Sequence, residues 1–165
     1  MYGGRMRCNV TNNGEITAFY GDSNYREDGS NGQVMVYQPK FYYQRTLMNT
    51  ITDSRGTKVQ KESLLLSATE KPGFTLHPLF KSDDTELDYV LLPAYEGSVE
   101  DISGSTYYRN NDAGVNISED KLSSIANALP LNGFNNNITF TNLKQLAANR
   151  GTGWQLTTME FESAN

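Results

Sequence analysis

The segment Glu27–Tyr43, EDGSNGQVMVYQPKFYY, constrains the fold more than any other part of the chain. Asp28-Gly29 and Asn31-Gly32 are dipeptides that reach positive φ at little cost, so they favour a chain reversal. Val34, Met35, Val36 and Tyr37 follow directly, and Phe41, Tyr42 and Tyr43 lie beyond Pro39. This density of β-branched and aromatic residues after a turn predicts strand over Val34–Tyr43, with Pro39 marking an edge or a bulge. Such a segment is scaffold and carries no chemistry of its own.

The same punctuation recurs along the chain. Cys8–Val10 and Ile16–Tyr20 flank Thr11-Asn12-Asn13-Gly14 and predict a hairpin. Gly21–Gly32 is a polar loop. Arg45–Lys61 is weakly patterned, with room for a second hairpin strand through Asp53-Ser54-Arg55-Gly56, and Ser63–Ala68 is an apolar run of undecided type. Lys71-Pro72-Gly73 turns the chain into Phe74–Leu76, which His77-Pro78 ends. Ser82–Glu86 is an acidic loop, and Asp88–Tyr95 predicts a strand buried on both faces. Two helices are expected in the last third. The first has Ser118 as N-cap, Leu122, Ile125, Ala126 and Leu129 on one face, and Pro130 as its stop. The second starts near Thr141, turns Leu143, Leu146 and Ala147 inward, and ends at Gly151. Asn132–Asn137 is a loop, and no internal repeat is present. The expected class is α+β, mostly antiparallel β with two helices in the last third.

At 165 residues the chain suits one domain, residues 1–165, able to bury about 70% of its unfolded surface. A net charge of −5 argues against nucleic acid as a partner, because that needs a basic face to release counterions. No apolar run is long enough to span a bilayer, so membrane insertion is not expected. The N-terminus MYGGRMR lacks the apolar stretch of a signal peptide. Ten tyrosines, with abundant Asn, Ser and Gly, match the vocabulary of adaptable binding surfaces. The same composition also describes a turn-rich β domain.

Chemistry-bearing motifs are sparse. Cys8 is the only cysteine and reads as a buried thiol in the first strand. His77 is the only histidine and reads as a structural residue at a strand end. Asp83, Asp84, Glu86 and Asp88 form an acidic cluster without the spacing of a calcium loop, and read as a solvated turn. Asp22, Glu27 and Asp28 offer hard oxygen ligands, but turn chemistry accounts for them equally. Gly151-Thr152-Gly153 closes a helix, the reverse of a phosphate loop, and lets Trp154 pack back beneath it. No cofactor or metal site is expected. The best surface candidate for ligand binding is Tyr107, Tyr108, Arg109, Asn110 and Asn111. Adjacent tyrosines on a strand face opposite ways, and sugars bind aromatic faces beside amides. A plain hairpin with an Asn-Asn turn fits the same residues.

Several segments, in order, resemble a family of phage and prophage virion domains: RCNV, GDSNYREDGSNGQVMVYQPKFYY, KPGFTLHPLF, AYEGS, DKLSSIANALP and LKQLAANRGTGWQL. EDGSNGQVMVYQPKFYY and NRGTGWQL are the most specific of these. The resemblance runs from about Arg7 to Leu156 and implies a C-type-lectin-like fold, shared with formylglycine-generating enzymes and phage receptor-binding proteins. Related sequences usually continue beyond the NRGxGW segment, so the resemblance leaves residues 1–165 as a shortened single domain, as the N-terminal portion of a larger lectin-like domain, or as a core completed by another chain. Formylglycine generation uses a cysteine pair, which a chain with Cys8 alone lacks. The resemblance implies a non-enzymatic tail-fibre or receptor-binding component that helps attach the particle to a host-surface glycan or protein. Other virion proteins would be its neighbours. The expected location is the virion, assembled in host cytoplasm, as a homo-oligomer with a trimer favoured. The alternatives are a purely structural capsid-fibre, baseplate or decoration protein, and a depolymerase using paired carboxylates.

Overall fold

A computed structural model describes residues 4–82, 85–104, 106–107, 114–131 and 138–158. In chain order the strands are β1 (Met6–Val10), β2 (Ile16–Phe19), β3 (Gln33–Pro39), β4 (Tyr42–Asp53), β5 (Gly56–Ser67), β6 (Thr75–Leu76), β7 (Lys81–Ser82), β8 (Thr85–Glu86), β9 (Tyr89–Pro93), β10 (Ser98–Asp101), β11 (Thr106–Tyr107) and β12 (Lys121–Ser123). One helix, α1 (Phe140–Ala148), follows. The described residues divide into two compact units, one of residues 38–90 with residues 4–5, and one of residues 6–37 and 91–158, termed the 38–90 and 6–37/91–159 units.

In the 6–37/91–159 unit one sheet has the order β2-β1-β3-β9, with β1 antiparallel to β2 and β3, and another has the antiparallel order β11-β10-β12. The Asn-Gly turn closes β1 on β2 as the sequence predicts, with Gly14 at φ 83 and its N–H donating to Thr11 O at 3.0 Å. Cys8, Val10 and Met35 are buried together, with Ile16, Phe19, Tyr37, Leu91 and Trp154 packed around them. Burial pushes the Cys8 thiol up to about 11, consistent with an inert core sulfur. Asn9, also fully buried, clips the 20–32 loop to β1: its Nδ2 donates to Arg26 O at 2.5 Å and its Oδ1 accepts from Arg26 N–H at 2.8 Å.

The expectation of two helices is corrected. Among the described residues there is one helix of seven or more residues, in an α+β chain dominated by antiparallel β structure without a closed barrel. The stretch from Ser118 to Pro130 is not helical, although its apolar spacing is. Asn116 bends the chain first, accepting from both the N–H and Oγ–H of Ser118 on its side-chain oxygen, at 3.2 and 2.7 Å. Lys121–Ser123 then pairs with β10, Leu122 opposite Val99. Ser124 joins β3: its N–H donates to Gln33 Oε1, its Oγ–H to Val34 O, and its carbonyl accepts from Val34 N–H, each at 2.8 Å. Asn127 at φ 62 completes the break. Long-range strand partners outweigh a local helix that has little length in which to recover its nucleation cost. The second predicted helix does form, from Phe140, with Thr139 rather than Thr141 at its start; Thr139 Oγ1 accepts from Asn142 N–H at 3.2 Å. Leu146 and Ala147 are buried, and Leu143 is half-buried.

In the 38–90 unit, β4 and β5 form a hairpin of two 12-residue strands turning at Asp53–Gly56. β6 adds to β4 only at Tyr42 and Tyr43. A small core of Leu76, Leu79 and Phe80 packs against Phe41, Tyr42 and Val90. His77 caps the single turn Pro78–Phe80 by accepting from Leu79 N–H on Nδ1 at 3.3 Å, with its ring 4.8 Å from Phe41 and 5.6 Å from Tyr43. That is the structural role its sequence context suggests. Two strand expectations shift. Val34–Tyr43 divides, β3 ending at Pro39 and β4 beginning at Tyr42. Asp88–Tyr95 is not buried on both faces, since within β9 only Leu92 is buried.

Candidate functional site

The sequence-predicted surface cannot be assembled from the described residues. The backbone of Tyr107 lies in β11 opposite Glu100, whereas Tyr108, Arg109, Asn110 and Asn111 lie outside them. Asp83 and Asp84 also lie outside. Two of the other acidic groups are spent locally: Asp22 Oδ2 accepts from Phe19 N–H at 2.8 Å, and Asp28 Oδ1 accepts from Ser30 N–H at 3.0 Å. Glu86 and Asp88 share the Lys40 ammonium at 2.8 and 2.9 Å. Among the described residues no three His, Cys, Asp or Glu side chains come together as a metal site. No helix among them is long and apolar enough to cross a membrane.

A different group gathers on the 6–37/91–159 unit. β1 presents Arg7 to solvent because strand alternation sends Cys8 to the core. The 20–32 loop, held by Asn9, supplies Tyr20, Tyr25 and Glu27, and the chain leaving β9 supplies Tyr95. Glu27 Oε1 accepts from Arg7 Nη1 at 2.7 Å and from Tyr25 Oη at 3.1 Å, while Oε2 accepts from Tyr95 Oη at 2.8 Å. The Arg7 guanidinium also lies over the Tyr95 ring, 5.2 Å from its centroid. Tyr20 stands edge-on to Tyr25 at 5.4 Å and is 65% exposed. Tyr25 and Tyr95 thus share one carboxylate with Arg7, and Tyr20 packs on Tyr25.

The electrostatics follow from the shared carboxylate. Hydrogen bonds from Tyr95 and then Arg7 hold Glu27 below the usual carboxylate range. Burial first, and the Glu27 hydrogen bond next, push the Tyr25 phenol up to about 12, and the same causes raise Tyr95. Glu27 is therefore an ionised acceptor at neutral pH and a poor proton donor, which suits recognition rather than acid catalysis. A depressed folded pKa contributes stability that is present above the unfolded value near about 4.3 and lost as pH falls through the folded one. The stability gap between wild type and Glu27→Gln is accordingly expected to be open at pH 7 and to narrow as the pH is taken below about 4.3 in urea titrations. A gap of constant size across that range would contradict the assignment.

The same unit has an open polar groove of about 370 Å³ between Asn12, the Gly29–Gln33 turn, Glu100 and Arg150. Its two charged side chains pair with each other at 2.8 Å, and Arg150 is 3% exposed, so the groove presents mainly turn backbone.

Sequence reasoning missed the Tyr20–Tyr25–Glu27–Tyr95–Arg7 group because its members come from three separated segments. The available signal was a pair of tyrosines bracketing a loop that also carries Glu27. Comparison of the chain with protein-family models, with curated proteins and with solved structures finds no match in any of the three.

Proposed function

We propose that this chain is a non-enzymatic component of a phage virion that contributes to host-surface attachment. The family resemblance supports the virion setting. The observation that carries attachment is the exposed Tyr20 ring, packed edge-on to Tyr25, whose hydroxyl donates to the Glu27 carboxylate that Arg7 and Tyr95 share. Aromatic faces stack on the apolar C–H faces of sugar rings, and a fixed carboxylate and guanidinium bond the hydroxyls around them. Rigid tyrosines give this contact area at small entropic cost. Tyr107–Asn111 is retained as a second proposed contact for the same kind of ligand. Weak contacts of this type gain strength when several copies are linked in one particle.

The test is an array of bacterial surface glycans together with whole-cell binding, read with multivalently displayed protein. Tyr20→Ala is expected to weaken binding at least about tenfold, equivalent to about 1.4 kcal/mol, with an unchanged circular dichroism spectrum. Tyr107→Ala with Tyr108→Ala tests the second surface in the same assay. If neither glycan nor cell is bound, the purely structural reading replaces attachment. That reading has its own support in the long β4–β5 hairpin, whose apolar surface is of a kind used in assembly.

A further inference from the structure

We infer that the β4–β5 hairpin is an assembly arm that docks on a second copy of this chain. The inference does not rest on the attachment reading, since an arm can assemble a particle part that binds no sugar.

The arm has too much apolar surface to stand in water. Leu47, Met48, Ile51, Leu64, Leu65 and Leu66 are each between 45 and 60% exposed. The register puts Tyr43 with Leu66, Arg45 with Leu64 and Leu47 with Glu62 on one face, because directly opposed residues of an antiparallel pair project together. Arg45 and Glu62 close a salt bridge of 2.6 Å diagonally across that face, with Leu64 and Leu47 beside it. Gln44 with Leu65 and Thr46 with Ser63 occupy the other face. The edges are open as well. β5 is the outer strand of its sheet, and β6 covers β4 only at Tyr42 and Tyr43. A two-stranded ribbon is marginal alone in water, and an open apolar edge is a template for another chain.

Charge and area identify the occupant. Residues 42–67 hold four cations, Arg45, Arg55, Lys58 and Lys61, against two anions, Asp53 and Glu62. The arm is therefore +2, and the rest of the −5 chain is −7. Two arms repel each other, whereas an arm is attracted to the body of another copy. A ribbon about 40 Å long and about 10 Å wide presents about 400 Å² per face. In a reciprocal exchange each copy gives one arm face and one receiving surface, about 800 Å² in all, which is what one side of a standard stable interface supplies. Such an exchange also closes into a symmetric assembly rather than leaving arms unsatisfied.

The full chain is tested by sedimentation velocity between about 1 and 100 µM at low and at 0.5 M salt, with carbodiimide cross-linking of an equal mixture of ¹⁴N and ¹⁵N chains. Expected results are an oligomer that weakens with salt, and mixed-isotope cross-links joining Lys58 or Lys61 of one copy to a carboxylate outside residues 42–67 of another. Leu47→Ser with Leu64→Ser and Leu66→Ser should weaken association at least about 100-fold. Its circular dichroism should be unchanged, since all three side chains are exposed. Lys58→Glu with Lys61→Glu turns the arm from +2 to −2, so association should weaken and its salt dependence should reverse. A wild-type monomer at 100 µM in low salt overturns the inference. So does undiminished association of the triple Ser variant, or inter-copy cross-links confined to residues 42–67. The glycan array reports separately on attachment, so either idea can fail without the other.

Discussion

Arg150→Ala is expected to lower the unfolding midpoint of the 165-residue chain by about 6–20 °C, from a loss of about 3–5 kcal/mol. The residue is 3% exposed, and its side chain bonds three separate pieces of chain. Nε donates to Leu122 O at 2.6 Å and Nη1 to Asn12 Oδ1 at 2.9 Å, while Nη2 reaches Glu100 Oε2 at 2.8 Å and Ser123 Oγ at 2.5 Å. Truncation leaves the Glu100 carboxylate without its cation and the β12 carbonyl without a donor, and stranded acceptors dominate the loss. Arg150→Lys should recover little, because a point ammonium cannot reproduce the guanidinium fork. Trp154 is the only tryptophan in the chain, it lies in the same unit as Arg150, and the Arg150 guanidinium sits 5.8 Å from its ring centroid. Its fluorescence therefore reports on this unit directly. A midpoint for Arg150→Ala within about 2 °C of wild type would mean that the network contributes little net stability.

Gly32→Ala is the second large effect, at roughly 2–4 kcal/mol. Gly32 has φ 96, and a Cβ there would lie 2.5 Å from the carbonyl oxygen of Val10 and 2.9 Å from its carbon. Both atoms are main chain of β1, and Val10 is fully buried, so the neighbour cannot yield. Gly14 is the internal control. It has a similar φ of 83, but a Cβ would meet nothing within 4 Å. Gly14→Ala should thus show only the backbone penalty of about 1 kcal/mol. The difference between the two variants in urea midpoint isolates the close approach to β1. Equal costs would show that the left-handed backbone alone explains the glycine.

Local turn chemistry was legible in the sequence wherever one dipeptide decides the backbone. Asn13-Gly14 predicted the β1–β2 hairpin, Asp53–Gly56 marked the second hairpin, and Lys71-Pro72-Gly73 turns as expected, with Phe74 N–H donating to Lys71 O at 3.0 Å. After α1 the chain turns at Gly151 and Gly153, and Trp154 packs on the Cys8–Val10–Met35 core, its Nε1–H donating to Asn12 O at 2.8 Å. The roles of Cys8 and His77 followed from their immediate neighbours. The candidate site was barely legible, because Arg7, Glu27 and Tyr95 belong to segments up to 88 positions apart.

The information readable before folding was therefore local: the turns, the antiparallel character, the helix α1, and the lack of basic or long apolar tracts. Only the tertiary structure decided the fate of Ser118–Pro130, where helical periodicity gave way to strand pairing with β10 and to Ser124 bonding β3. It alone revealed that Ser63–Ala68 largely continues a 12-residue strand with three leucines exposed, and that one loop carboxylate gathers two tyrosines and an arginine. Turn preferences are written in one or two residues, whereas partners distant in sequence supply their energy only after the chain has closed on itself.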